Sequence, residues 1–262
     1  MPTDPVTRTL VAAQATVRGA LTGRPILGLL GAAAVFPVLV GGIWAAGPPK
    51  GTDLLSVAEV LFSALFLPVI LLLVCLVQGA GLLRTELEED TLLYPLKRTV
   101  PRASLVVGKY LGFLVATLAA LLPSALLGIF LGVKGGNGTQ SAGTGLFEAT
   151  VLLTVLGVVA YGATFELLGL LTRSALVIGL VYGFLWETFL SQVAGPIQYY
   201  TVVYYLRSAG AALVPGGALG GSPAAGSIPG VAAGLAAYAL LCLIAGSAVL
   251  RYTEVRASPA PP

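Results

Sequence analysis

The residues able to do chemistry in this chain are few and unevenly placed. The densest group is residues 84–102, RTELEEDTLLYPLKRTVPR, where Arg84, Glu86, Glu88, Glu89, Asp90, Lys97, Arg98 and Arg102 crowd together and Lys109 follows shortly after. Long apolar runs flank the block on both sides, so it must be a water-facing loop between two membrane crossings. Leu92, Leu93, Tyr94 and Leu96 make a short apolar patch inside it, which a merely solvated loop does not need. Asp90 or Thr91 can cap a helix start, and Asp90 suits the positive end of a helix dipole. Two readings stand at this point: an amphipathic docking helix outside the bilayer, or a charged loop that only sets topology. Four further acids lie in or near apolar runs. Glu59 and Glu148 are close to span ends, whereas Glu166 and Glu187 are deeper. A lone ionised carboxylate in hydrocarbon is expensive, so each of the deeper two must be protonated, paired or facing water. They can line a translocation path or close an interhelical hydrogen bond.

What is missing narrows the chemistry further. The chain has no histidine, which removes the commonest transition-metal ligand and the usual general base. It has no phosphate-binding Gly-x-x-x-x-Gly-Lys-Ser/Thr motif and no Gly-x-Ser-x-Gly elbow. No catalytic, cofactor-binding or metal site is therefore expected in this chain. Cys75 and Cys242 each sit within an apolar run and read as small packing residues.

The elements that hold these residues follow from hydropathy. Of 262 residues 57% are hydrophobic and only 10% charged, with a mean hydropathy of +0.95; a soluble domain carries about a quarter charged residues. Spans are expected at about Ile26–Ala46, Leu54–Leu83, Leu105–Val133, Phe147–Leu171, Ala175–Ser191 and Ile228–Leu250, each near the roughly 20 residues a bilayer needs. Before them, residues 1–25 place Val6, Leu10, Val17 and Leu21 at helical spacing with Arg8, Gln14, Arg18 and Arg24 off that stripe. This is the pattern of a cytoplasmic helix lying on the membrane surface. Pro196 to Arg207, rich in tyrosine, reads as a short re-entrant or interfacial helix on the outer side, and Val214 to Gly230 as a linker. Gly108 with Gly112, Gly128 with Gly132, and Gly179 with Gly183 are spaced for close helix packing. Residues 251–262 form a polar tail. With both termini inside, eleven of the fourteen Lys and Arg residues fall on the inner side and only Lys50, Lys134 and Arg207 on the outer, a decisive positive-inside bias.

The charged block also carries a resemblance. Glu86-x-x-x-Asp90-Thr91-Leu92-x-Tyr94, then Arg98-Thr99-Val100-Pro101-Arg102, then Lys109, resembles the first cytoplasmic loop of ABC type-2 permeases, the membrane subunits of ATP-driven exporters. Asp90 stands where that loop usually has Gly, and Thr99 where it usually has Pro. Pro95 is expected to break or shift the helix around Tyr94. The resemblance implies an all-α integral membrane protein with six transmembrane helices (26–250), an N-terminal interfacial helix, a cytoplasmic coupling helix in loop 84–103 and a short external helix before the last span. It implies that Glu86, Asp90, Thr91, Leu92, Leu93, Leu96, Arg98 and Arg102 contact a separate ABC ATPase subunit, which holds the ATP and magnesium. It further implies a second permease copy, a homodimer or a related heterodimer, in the cytoplasmic membrane, with no nucleic-acid partner. Two alternatives stay open: a proton-coupled secondary transporter using Glu166 or Glu187, and a non-transporting membrane anchor for an ATPase.

Overall fold

Backbone polar groups in hydrocarbon must be bonded within their own segment, and the regular elements of the chain meet that demand as helices. The computed structural model describes residues 5–21, 24–47, 52–81, 102–136, 140–172, 174–192, 196–214 and 227–255, and no strand occurs among them. In chain order these are α1 (Pro5–Leu21), α2 (Arg24–Ala46), α3 (54–81), α4 (Arg102–Gly135), α5 (Gln140–Leu171), α6 (175–189), α7 (Val202–Leu213) and α8 (Ile228–Val255). Five stretches are long and apolar enough to cross a membrane: Leu27–Ala46, Leu54–Ala80, Val106–Gly135, Gly145–Leu171 and Ile228–Leu250. They coincide with five of the six expected spans.

The sixth expectation, Ala175–Ser191, meets a shorter helix. α6 is an α-helical part, Ala175–Val181, followed by a π-helical part, Tyr182–Phe189. At about 1.5 Å per residue it is roughly 22 Å long, short of the ~30 Å hydrocarbon thickness. Two 3₁₀ turns follow, Leu190–Gln192 and Pro196–Tyr200, and then α7. α3 also contains a π-helical stretch, Phe62–Leu71, with Pro68 inside it. Proline crowds the preceding turn and donates no hydrogen bond, and a widened turn accommodates both defects.

α5 is the centre of the bundle, packed against α3, α4, α7 and α8. Small residues set the distances. A Cβ at Gly169 would lie 2.8 Å from the Ala80 carbonyl oxygen, and one at Gly79 3.1 Å from Cβ of Phe165, so α3 and α5 touch almost backbone to backbone at one end. The glycines spaced for packing do the same elsewhere: Gly112 faces Ala13 and Thr16 of α1, Gly128 the Phe36 ring, Gly132 Ala58, Gly179 Leu76 and Gly183 Leu72. Above Gly128, Phe36, Phe62 and Phe66 form a buried knot with ring centroids 5.1–5.9 Å apart. Interhelical hydrogen bonds are few and specific. The Ser124 hydroxyl donates to the Ala33 carbonyl, joining α4 to α2, and the Tyr110 phenol donates to the Val159 carbonyl at 2.7 Å, joining α4 to α5. α1 lies on α4 through its small residues, while Leu10 and Val11 stay exposed. α2 stops at Gly47, whose φ of +84° only glycine adopts freely.

Candidate functional site

The best-defined polar site is built around Glu187, which is wholly buried. Its carboxylate accepts four hydrogen bonds. Oε1 takes the Tyr182 phenol at 2.8 Å and the Val202 amide at 3.2 Å; Oε2 takes the Tyr161 phenol at 3.0 Å and the Val203 amide at 3.1 Å. The two amides belong to the first turn of α7, where a helix always leaves N–H groups without an internal partner. Thr201, the N-cap, covers a third by accepting from the Tyr204 amide at 3.4 Å. The negative carboxylate also sits at the positive end of the α7 dipole. Three elements therefore converge on one side chain: Tyr161 from α5, Tyr182 from α6 itself, and the start of α7.

Local backbone geometry makes this possible. In an α-helix, residues five apart diverge by about 140°, so Tyr182 could not reach the side chain at 187. The π-helical pitch of Tyr182–Phe189 brings residues i and i+5 near one face. Thr188 reinforces it, its hydroxyl donating to the Gly183 carbonyl five residues back at 3.1 Å.

From this anchor α7 runs antiparallel along α5. Its first turn meets Tyr161 through Glu187, Leu206 packs at Gly157, and Leu213 approaches Gly145. On the other side of α7 lies a cavity of about 340 Å³ between Tyr199, Tyr200 and Tyr205 and the first half of α8. Tyr238 is at its base, donating to Thr164 at 3.1 Å while the Thr164 hydroxyl donates to the Ala160 carbonyl.

Glu166, the second deep acid, is treated oppositely. It is 2% exposed, and neither carboxylate oxygen has a hydrogen-bond partner. Its backbone lies where α3 ends, beside Gly79. The buried Lys109, in the early turns of α4, acts on it electrostatically. Glu166 and Glu187 thus occupy separate sites and do not meet. Of the residues expected to touch an ATPase, Glu86, Asp90, Thr91, Leu92, Leu93, Leu96 and Arg98 lie outside the described residues, as does the helix break expected at Pro95. Arg102 is the first residue of α4. The stems of that loop, the end of α3 and the start of α4, flank the Glu166 site. Cys75 and Cys242 are buried and free, as packing residues would be.

Sequence reasoning missed Tyr161, Tyr182 and the first turn of α7 as the partners of Glu187. A signal existed: a carboxylate in an apolar run demands donors, and tyrosines are among the donors that the apolar runs of this chain supply.

Several long apolar helices, with carboxylates held inside them by neighbouring helices, define a multi-pass integral membrane protein. Within that class the assignment comes from comparison: the family model described as "ABC-2 family transporter protein" matches residues 44–204, more than half of the chain, and the chain belongs to that family. The match spans the charged loop, Glu166 and the whole Glu187 site. No curated protein matches the chain.

Proposed function

We propose that the chain is the permease of an ATP-driven exporter, working as two copies with two separate ATPase subunits that hold ATP and magnesium. Family membership over residues 44–204, a range that contains the whole charged loop, is the observation that carries this. In this reading both termini and loop 84–102 face the cytoplasm, where Leu92, Leu93 and Leu96 dock on the ATPase and Glu86, Asp90, Thr91, Arg98 and Arg102 surround or brace them. α1 lies on the inner membrane surface with Leu10 and Val11 in lipid. The fifth crossing is made in two pieces, α6 through the inner part of the membrane and α7 through the outer, giving six crossings in all. The uncovered apolar face of α6, including Val177, Val181, Phe184 and Leu185, is then available to lipid or to the second copy.

The loop's stems support a mechanical coupling route. α3 and α4 enter the bundle beside Glu166, and α5 carries both Glu166 and the Tyr161 donor to Glu187, so movement of the stems reaches the outer clasp through one helix. Transport by the permease and its ATPase in liposomes, with and without ATP, tests the proposal. ATP-independent movement of a substrate would sink it. One observation favours a second reading: Glu166, buried without a hydrogen-bond donor, is the kind of group a proton-coupled transporter uses. Transport driven by a pH gradient without ATP, and lost in Glu166→Gln, would select that reading instead.

A further inference from the structure

Two stretches of the bundle are π-wound, and only one of them has a local cause. Phe62–Leu71 contains Pro68, which a widened turn accommodates. Tyr182–Phe189, YGFLWETF, has no proline, and π-helix is rare enough, well under about 1% of residues, to need a reason. The reason lies in what the stretch touches. Its start is anchored, since Gly179 and Gly183 sit against Leu76 and Leu72 of α3. Further on, Glu187 holds Tyr161, Tyr182 and the Val202 and Val203 amides, and the Trp186 indole N–H donates to the Tyr200 carbonyl at 3.3 Å.

Thr188 shows that a second winding is open to the stretch. Thr150, Thr164 and Thr172 each donate to the carbonyl four residues back, on Leu146, Ala160 and Leu168, as threonines in α-helices do. Thr188 donates to Gly183, five residues back, at 3.1 Å. In α winding the Phe184 carbonyl would stand in that place, so Thr188 has an acceptor either way. The backbone amides of the stretch are likewise bonded in both windings, to the carbonyl five or four residues back. Glu187 is the exception. In α winding it points about 140° away from Tyr182 and leaves the first turn of α7. Its four hydrogen bonds are therefore what separates the two windings in energy.

We propose that α6 is a two-position latch. With Glu187 seated, Tyr182–Phe189 is π-wound and holds α7. With Glu187 withdrawn, the stretch rewinds to α-helix, turns Trp186 off the Tyr200 carbonyl and frees the start of α7. Tyr200, Thr201 and Val202 line the cavity of about 340 Å³ beside α8, so the latch sets the shape of that cavity. This goes beyond the transport reading and is tested on the permease alone.

The test uses the full chain in lipid nanodiscs in a Trp44→Phe background, which leaves Trp186 as the one tryptophan. Carbonyl carbon NMR shifts of Gly183 and Phe184 read the winding, and Trp186 emission reads its consequence. In Glu187→Ala the Thr188 hydroxyl should pass from the Gly183 carbonyl to that of Phe184. The first resonance should lose a hydrogen-bond shift and the second gain one, with a shift in Trp186 emission alongside. Thr201→Val removes the α7 N-cap and loosens the same helix while Glu187 stays, so both signals should remain as in wild type. That pair of results supports the latch. A folded Glu187→Ala variant with unchanged carbonyl shifts and emission overturns it, and so do equal changes in Thr201→Val. If Glu187→Ala does not fold, deletion of Leu185, an exposed residue of the stretch, decides. The deletion brings Tyr182 and Glu187 to the four-residue spacing of one α-helical face, so the clasp and α winding should coexist. A folded deletion variant whose amides at 202–206 keep wild-type protection from hydrogen exchange supports the proposal. Unfolding, or loss of that protection, overturns it.

Discussion

The Glu187 clasp allows the sharpest prediction, because its four hydrogen bonds divide between two oxygens in a way that substitutions can separate. Glu187→Ala leaves two buried amides, Val202 and Val203, and two phenols without an acceptor. The phenols can turn elsewhere, but the amides are fixed by the helix. Each orphaned buried donor costs about 1–3 kcal/mol, so the start of α7 should lose about 2–6 kcal/mol of local stability. Glu187→Gln should be intermediate. Its carbonyl oxygen still serves one phenol and one amide, while its NH₂ faces the other amide, donor against donor, orphaning one amide instead of two. Tyr182→Phe and Tyr161→Phe each remove one donor and strand nothing, costing about 0.6–1.7 kcal/mol on the scale of hydrogen bonds inside membranes. Amide hydrogen exchange of residues 202–206 in nanodiscs reads these differences directly. At about 1.4 kcal/mol per tenfold, the phenol variants should exchange roughly 3–16 times faster, Glu187→Gln faster than those, and Glu187→Ala fastest of all. Protection at 202–206 in a folded Glu187→Ala variant equal to that of wild type would refute the reasoning.

Three further outcomes follow. Replacing both Leu92 and Leu96 with Asp should nearly abolish co-purification of the ATPase, since a buried leucine is worth about 1.5–3 kcal/mol, whereas Arg102→Ala should weaken it modestly, as a screened ion pair contributes about 0–1 kcal/mol; a folded leucine variant that keeps its ATPase would remove loop 84–102 as the docking element. Reporters fused after Arg98 or Arg256 should behave as cytoplasmic and one placed within Gly135–Gly143 as external, and a cytoplasmic signal from the last would overturn the six-crossing arrangement. In a double-mutant cycle at the Glu166 site, the effects of Lys109→Met and Glu166→Gln on thermal unfolding should be non-additive, with the double variant neutral or stabilising by up to about 1–4 kcal/mol; additive effects would show that the two charges are not coupled.

Much of the fold was legible because hydrocarbon permits so little. Five of the six expected spans appear as helices of spanning length, within a few residues of where hydropathy put them, and five of the glycines spaced four apart (Gly112, Gly128, Gly132, Gly179 and Gly183) sit against neighbouring helices. Periodicity at the N-terminus correctly marked a helix, but not its docking face. Ala13 and Thr16 meet Gly112 because small residues allow close approach, and Leu10, the most conspicuous member of the stripe, is exposed. The region after Ala175 was harder. Composition there is apolar throughout, so nothing local announces that the helix widens at Tyr182 and stops at Phe189. The cause is tertiary: Glu187 bonds an amide sixteen residues later and a phenol twenty-six residues earlier, and no window of sequence contains that arrangement. For the same reason Glu187 could be flagged as needing company without its company being named.

The two buried carboxylates show two solutions to one physical problem, and the difference bears on what can move. Glu187 has its charge spread over four donors and has no unmet demand, so any displacement of α7 or α6 makes its surroundings worse. It is suited to hold α7 in place. Glu166 has no donor at all, only the field of Lys109, so its surroundings can improve. A small shift of the first turns of α4 that brings the Lys109 ammonium onto the carboxylate would give Glu166 the hydrogen bond it lacks, and double-mutant measurements on close charge pairs put such contacts at several kcal/mol. α4 begins at Arg102, where the charged loop ends. In the proposed reading a force applied to that loop would act first on the Glu166 site, and through the backbone-close contact of Gly79 and Ala80 with α5 on the helix that also carries Tyr161. In the proposed reading the Glu166 site is thus the soft end of the bundle and the Glu187 clasp the stiff one, and a machine driven from the cytoplasm would make them yield in that order.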